Sequence, residues 1–271
     1  MNRVWLTLGA TFVAVSCQTT RTEPSTPATQ PDGLDTGVVT RVNDGDSGLI
    51  EVGGSVVEFR LEGINAPEQG ECYGEESSDR LAALAQGATV GVERTGVDQF
   101  DRNLVYLWLD EALVNLELVS EGHAVASTPG EGETWGASLI AAEDDAAAGE
   151  RGLWSDSACG GTGPVPDVAV DPRSSRFDPD GRDEEVLEAE WVTFDYGETL
   201  DVGGWTIRDE SSAHRCVLPA GTHISADRPL TVTSADQCWD PGETPVWNNA
   251  GDLVLLLDQL GRVAARHRYT G

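Results

Sequence analysis

Lysine is absent from this chain of 271 residues: all 17 basic residues are arginine, set against 47 acidic ones, for a formal net charge of −30. The absence excludes any chemistry carried by an amine side chain. So few cations also argue against tight binding of a polyanion through a basic surface, since phosphate affinity comes largely from basic residues. The objection weakens for a hydrolase, which needs only transient binding, and a divalent ion would add local positive charge that counting residues misses. So acidic a surface also suits a salty habitat, where screening shortens repulsion to about 3 Å at 1 M salt. Long apolar runs are lacking too. Residues 4–15, behind Arg3, are too short to span a bilayer as a lasting helix. Cysteine is scarce and odd in number, five residues, which in an exported protein leaves one thiol over.

What is present begins with that apolar run, which reads as a secretory signal. Ala14, Val15, Ser16 and Cys17 resemble a bacterial lipobox, with Ala14 where Leu is usual. Residues 1–17 are therefore expected to be a lipoprotein signal, leaving Cys17 lipidated and the protein exported and held on a membrane or cell surface. Four cysteines then remain, Cys72, Cys159, Cys216 and Cys238. Residues 18–35, rich in Thr and Pro without apolar periodicity, read as a tether. A second Gly- and Pro-rich stretch over 160–182 reads as a linker. It divides the rest into two domains, 36–159 and 183–271.

In the first domain, short β-branched runs at 36–42, 48–52, 55–61, 90–94 and 104–109 predict strands, and apolar spacing predicts helices at 75–85, 113–122 and 139–150. Five strands with a few helices fit a small closed barrel. The second domain reads as β only, with strands at 190–194, 205–208, 215–218, 230–233, 253–258 and 263–269, spaced as in a sandwich. The fold class is thus α+β.

Charged groups recur where the apolar strands of the first domain end: Asp44 and Asp46 in NDGDS, Arg60 in EFRLEG, Asn65 and Glu68 in INAPE, Arg102 in DQFDRNLVYLW. Phosphodiester hydrolysis needs oxygen ligands for a hard cation, a base for water, and cations against the charge developing on phosphorus. This set supplies all three. Each residue alone has a plainer reading: turn residues for Asp44 and Asp46, a rim ion pair for Arg60 and Glu68, a solvated strand end for Arg102. His123, Trp108 and Trp135 read as packing residues.

Taken in order with LVN and GLW, these motifs resemble the staphylococcal nuclease (thermonuclease) family over about residues 36–154. The resemblance implies an OB-fold five-stranded β-barrel with three helices, and a nuclease acting on DNA, RNA or both to leave 3′-phosphates. It implies Ca2+ as cofactor, held by the side chains of Asp46 and Asn65 and the carbonyl of Ala66. Glu68 would act on the attacking water, Arg60 and Arg102 would stabilise the phosphorane, and Phe100 would flank the sugar or base. Four positions depart from the family pattern: Asn65 stands for Asp, Ala66 for Thr, Gln99 for Lys and Asp101 for Gly. The first removes a negative charge from the metal site, and the latter two weaken the hold on substrate.

The second domain carries EAEWVTF, LDVGGWTIRDE, HRCVLPAGTHI and VWNNAGDLVLLLDQLGRV, which together resemble a lamin-tail domain, an immunoglobulin-like sandwich. The resemblance implies framework roles for Trp191, Trp205 and Trp247 and a ligand that the sequence does not identify. Asp209, His214 and Arg215 lie close together and read as an exposed turn. Cys72 with Cys159 and Cys216 with Cys238 are the expected disulfides, one in each domain. The protein is expected to be monomeric. The other readings weighed are a catalytically inactive nuclease-like barrel serving in adhesion or binding, and a purely structural surface lipoprotein.

Overall fold

The computed structural model describes residues 28–130, 133–179, 187–211, 213–240 and 245–270. The expected signal, Cys17 and most of the tether lie outside the described residues. Strands β1 (Asp35–Val42), β2 (Ser47–Val52) and β3 (Ser55–Leu61) form an antiparallel meander, followed by the short β4 (Ile64–Asn65). Helix α1 (Gly74–Ala85) precedes β5 (Thr89–Val97), β6 (Asn103–Leu109) and β7 (Ala112–Leu113). Next come α2 (Val114–Ser120), β8 (Val125–Ala126) and α3 (Gly136–Ala148).

The sheet runs β3-β2-β1-β5-β6-β7, and a parallel β3–β6 pairing closes it into a barrel. Its inward residues, Val39, Ile50, Phe59, Leu61, Val90, Val105 and Leu107, alternate with outward ones and pack against Leu81 of α1 and Leu118 of α2. Buried Asn115 seals the α2 end, accepting from Leu107 N and donating to Glu62 O. Trp108 and Trp135 meet edge to face and both donate to Glu93, so they pack, as read from the sequence.

The remainder is β-structure: β9 (Ala169–Val170), β10 (Trp191–Asp195), β11 (Leu200–Asp201), β12 (Thr206–Arg208) and β13 (Arg215–Val217). These are followed by β14 (His223–Ile224), β15 (Leu230–Thr233), β16 (Trp239–Asp240), β17 (Gly251–Leu257) and β18 (Val263–Thr270). A sheet in the order β15-β10-β9 and another in the order β16-β13-β12-β17-β18 bury one apolar cluster that includes Phe194, Ile207, Trp247, Val254 and Leu256. The stretch expected to be a linker is partly built into this body. Ala169–Val170 pairs with Phe194 and Asp195, Val168 is buried, and Phe177 stacks on Tyr269. Its apolar residues find an open strand edge and a ring to cover. Trp205 and Trp247 are core, but Trp191 lies at the surface against Arg176, its indole N–H donating to Ser174 O.

The two bodies dock through β17. Its Val254 and Leu256 face the β-domain core, while Leu253 and Leu255 enter a second cluster with Val125 and Leu153 of the barrel domain. Both faces of this strand are therefore covered. Around that seam Arg266 and Arg268 of β18 reach Glu143 of α3, which is fully buried and also accepts Ala126 N. Arg268 further donates to Ala126 O and Thr128 Oγ1, and Arg262 to the carbonyls of Asp156 and Gly163. Both expected disulfides are formed, Cys72 with Cys159 and Cys216 with Cys238.

Candidate active site

Strand register assembles the site. Ser47 pairs with Arg60 across β2–β3, and Leu61 N donates to Asp46 O, so the NDGDS turn sits over the end of β3. Arg60 pairs with Leu104 in the parallel β3–β6 closure, which brings Arg102 to the same end of the barrel. Asn65 opposes Val125 across β4–β8 and donates through Nδ2 to Ser127 Oγ. Asp44, Asp46, Arg60, Asn65, Ala66, Glu68, Phe100 and Arg102 thereby line one cavity of about 480 Å³. Every residue singled out for catalysis, metal or substrate lies on it.

Within the cavity Arg60 is the hub. Its Nη1 donates to the carbonyls of Leu61 and Ile64, and its Nη2 to Asn65 Oδ1 at 2.5 Å, while Nη2 lies 3.2 Å from Asp46 Oδ2. The same Asp46 oxygen accepts Ala66 N at 2.7 Å. Burial pushes the Asp46 carboxyl up to about 7; Arg60 works against that rise and Asp44 adds to it. Asp44 itself shapes the turn, accepting Asp46 N and Ser47 Oγ. Gly45 is required here, since a Cβ would meet those of Ala66 and Ser77 at 2.6 Å.

Arg102 is aimed by Asp98, whose Oδ2 accepts Nε at 2.7 Å while Oδ1 accepts the backbone N–H of Phe100 and of Arg102. Its guanidinium lies over the Phe100 ring, 5.5 Å from the centroid. Phe100 is 67% exposed, a large apolar ring that nothing in the fold requires. Glu68 is exposed at the mouth, and its backbone N–H donates to Glu71 Oε2 at 2.9 Å. The start of α1 folds tightly beneath it: a Cβ on Gly74 would stand 2.1 Å from Glu68 O.

The donors around the cavity are hard oxygens, from Asp44, Asp46, Asn65 and Glu68, and suit a hard divalent cation rather than a thiophilic metal. A cation would also favour the ionised form of the buried Asp46. Among the described residues no group of three or more His, Cys, Asp and Glu is gathered for a metal. Asp46 and Asn65 are instead both held by Arg60.

Several contributors carry no local signal in the sequence. Asp98 contributes by holding Arg102 and the backbone of Phe100. Ser211 and Ala213, from the β-domain, line the same cavity. Asp209, His214 and Arg215 do not form the exposed turn that their polar character suggests. Asp209 is buried and bonded to His214 Nδ1, and Arg215 is ion-paired with Glu71. Asp209 and His214 satisfy one another within the β-domain, whereas Arg215 is satisfied across the domain boundary. His123 packs against Tyr73, and burial lowers its pKa, as fits a structural residue.

A family model described as "Staphylococcal nuclease homologue" matches residues 58–156, a span that includes Arg60, Glu68 and Arg102 and stops short of the β-domain. A "Micrococcal nuclease" of Shigella flexneri is 33% identical over 129 residues, 44% of this chain and 74% of that one. An "Uncharacterized endonuclease" of Escherichia coli O157:H7 is 33% identical over 122 residues, 45% of this chain and 78% of its own length. An "Uncharacterized endonuclease" of Haemophilus influenzae is 29% identical over 120 residues, and the chain spans 66% of it.

Proposed function

The chain belongs to the staphylococcal nuclease family, and from that premise we propose that it is a calcium-dependent nuclease hydrolysing phosphodiester bonds of DNA, RNA or both to 3′-phosphate products. The observation that carries this reading is the convergence of Arg60, Arg102, Asp46 and Glu68 on one cavity at one end of the barrel. Two guanidiniums fixed by Asp46, Asn65 and Asp98 are preorganised against the charge that builds on a pentacoordinate phosphorus. Glu68, exposed beside them, takes the proton of the attacking water. Phe100 offers its free face to a sugar or base. Asp46, the Asn65 amide and the Ala66 carbonyl would hold Ca2+, which when bound supplies Lewis-acid polarisation of the phosphate and offsets repulsion by the acidic surface.

A second reading is favoured by Arg60 itself. Because its guanidinium already engages Asp46 and Asn65, the site is satisfied without a cation, as in an inactive barrel that only binds. Digestion of fluorescent DNA and RNA with Ca2+ and with chelator separates the two. Calcium-dependent cleavage is expected. Binding without cleavage under all conditions would establish the second reading.

Export and anchoring through a lipid on Cys17 belong to this proposal, motivated by the apolar run and the lipobox-like residues around it. Cys17→Ala should move the protein from the membrane fraction to the soluble one. The β-domain carries lamin-tail-like motifs, and we assign it no ligand.

A further inference from the structure

Directly behind Glu68 the β-domain touches the active-site loop. Glu71 lies three residues on, and each end of its side chain has a separate task. Its Oε2 accepts the backbone N–H of Glu68, and its backbone N–H donates to Glu68 O at 3.0 Å, so Glu71 closes a tight turn around the base. Two arginines from the β-domain reach the same carboxylate. Arg208 Nη1 of β12 stands 3.5 Å from Oε2, and Arg215 Nη2 of β13 is ion-paired with Oε1. Arg208 is almost wholly buried, and the carboxylates of Asp209 and Glu68 act electrostatically in favour of its charged form. Burying a guanidinium is unfavourable unless carboxylates surround it. This one lies behind the catalytic loop, beside a cavity of about 270 Å³ that Pro67, Gly70, Glu71 and Cys72 share with Arg208 and Arg215. Close by, Gly261 of the β17–β18 turn packs so tightly on Cys72 that a Cβ would stand 2.5 Å from that of the cysteine.

We propose that the β-domain positions the base of the nuclease: Arg208 and Arg215 act through Glu71 to fix the backbone of Glu68 at the mouth of the site. The inference rests on the assignment of Glu68 as the group that acts on water. Neither arginine is assigned a catalytic role; both act through their contacts with Glu71. They neutralise a carboxylate that would otherwise repel the base beside it, and they hold that carboxylate where it can accept the Glu68 N–H. The rest of the turn between β4 and α1 is tied down by the Cys72–Cys159 bridge, by Ala66 N on Asp46 and by Gln69 on Asn43 O, none of which touches the Glu68 backbone N–H. Displacing a base by an ångström lowers turnover by about a hundredfold and leaves ground-state binding almost untouched.

The test is a double-mutant cycle in the full chain, followed by cleavage of a fluorescent oligonucleotide at saturating Ca2+. Arg215→Gln, at the less buried of the two positions, should lower kcat by about tenfold and leave KM within about twofold. Arg215→Lys should recover most of the loss by restoring the charge. In the Glu68→Gln background Arg215→Gln should cost less than about twofold more, because the group it positions is already gone. Arg208→Gln should follow the same pattern if it folds; Arg215→Gln carries the test if it does not. Unchanged kcat in Arg215→Gln, or a full and independent loss in the Glu68→Gln background, overturns the positioning role while leaving the nuclease reading intact. Near-normal turnover in Glu68→Gln alone overturns the assignment of the base instead.

Discussion

Arg60 donates to the side-chain oxygen of Asn65 across 2.5 Å, so the amide oxygen assigned to calcium is shared with a guanidinium. An amide has only that one oxygen to offer. Asn65→Asp supplies a second, letting one oxygen keep Arg60 while the other meets the cation, and Ser127 can turn its hydroxyl to donate in place of accepting. Because charged ligands set calcium affinity, the variant should lower the Ca2+ concentration for half-maximal cleavage from the order of 1 mM by several fold. The titration is read at saturating substrate, since added negative charge also repels phosphate. An unchanged midpoint would remove Asn65 from the metal site.

Glu68 is exposed and Arg102 is held by Asp98, so neither carries the core. Glu68→Gln should lower kcat by about 10² to 10⁴ with the melting temperature unchanged, and Arg102→Ala by about 10² to 10³. Asp98→Asn, which loosens the aim of Arg102 without deleting it, should cost less than Arg102→Ala. A larger loss in Asp98→Asn than in Arg102→Ala would mean that Asp98 has a role of its own.

At the docking seam a single carboxylate serves both bodies. Glu143, fully buried, pairs with Arg266 and Arg268 and also accepts Ala126 N. Glu143→Ala leaves Arg266 with Asp144 and Arg268 with Glu210 as their remaining carboxylates and a buried backbone N–H unpaired, which should cost about 1–3 kcal/mol in chemical denaturation. The loss should appear as earlier separation of the two domains, giving two transitions where the parent is expected to give one. A destabilisation under about 1 kcal/mol would show that the seam is held by β17 packing instead.

Stability should fall as pH rises from about 5 to about 8, because of a cluster in the β-domain. Burial raises the Asp252 carboxyl to about 7, with Glu210 and Asp209 adding to the rise, and burial also raises Glu210. His214 is raised first by its hydrogen bond to Asp209. Each group holds its proton more tightly folded than unfolded. The cost of ionising Asp252 is absent below its ordinary value of 3.8 and grows until pH passes about 7. The contribution of His214 is complete below 6.5 and is lost as pH climbs through its higher folded value. Asp252→Asn should shrink the difference in melting temperature between the two pH values by several degrees. If the difference is undiminished, the slope has another source.

Much of this architecture is legible in local pattern. Alternating β-branched runs mark β1 to β3 within one residue of their ends, and the motifs NDGDS, INAPE and DQFDR stand where those strands and β6 begin or end. The short pairs β4–β8 and β11–β14 are not legible, because two residues carry no period and their partners are remote in sequence.

The amino-acid order thus determined the barrel, the identity of the charged groups at its open end and the all-β character of the C-terminal domain, since each of these is written in short-range periodicity and turn chemistry. Which surface covers the outer face of β17 was decided only by the packed structure. The run GDLVLLLD says that both faces are buried, but alternation cannot say which body buries each. The same holds for Glu71 with Arg208, 137 residues apart, and for the segment 209–215, whose polar composition suggests solvent. Ion pairs across a domain seam arise from rigid docking of two finished surfaces, and no local propensity encodes which charges will meet.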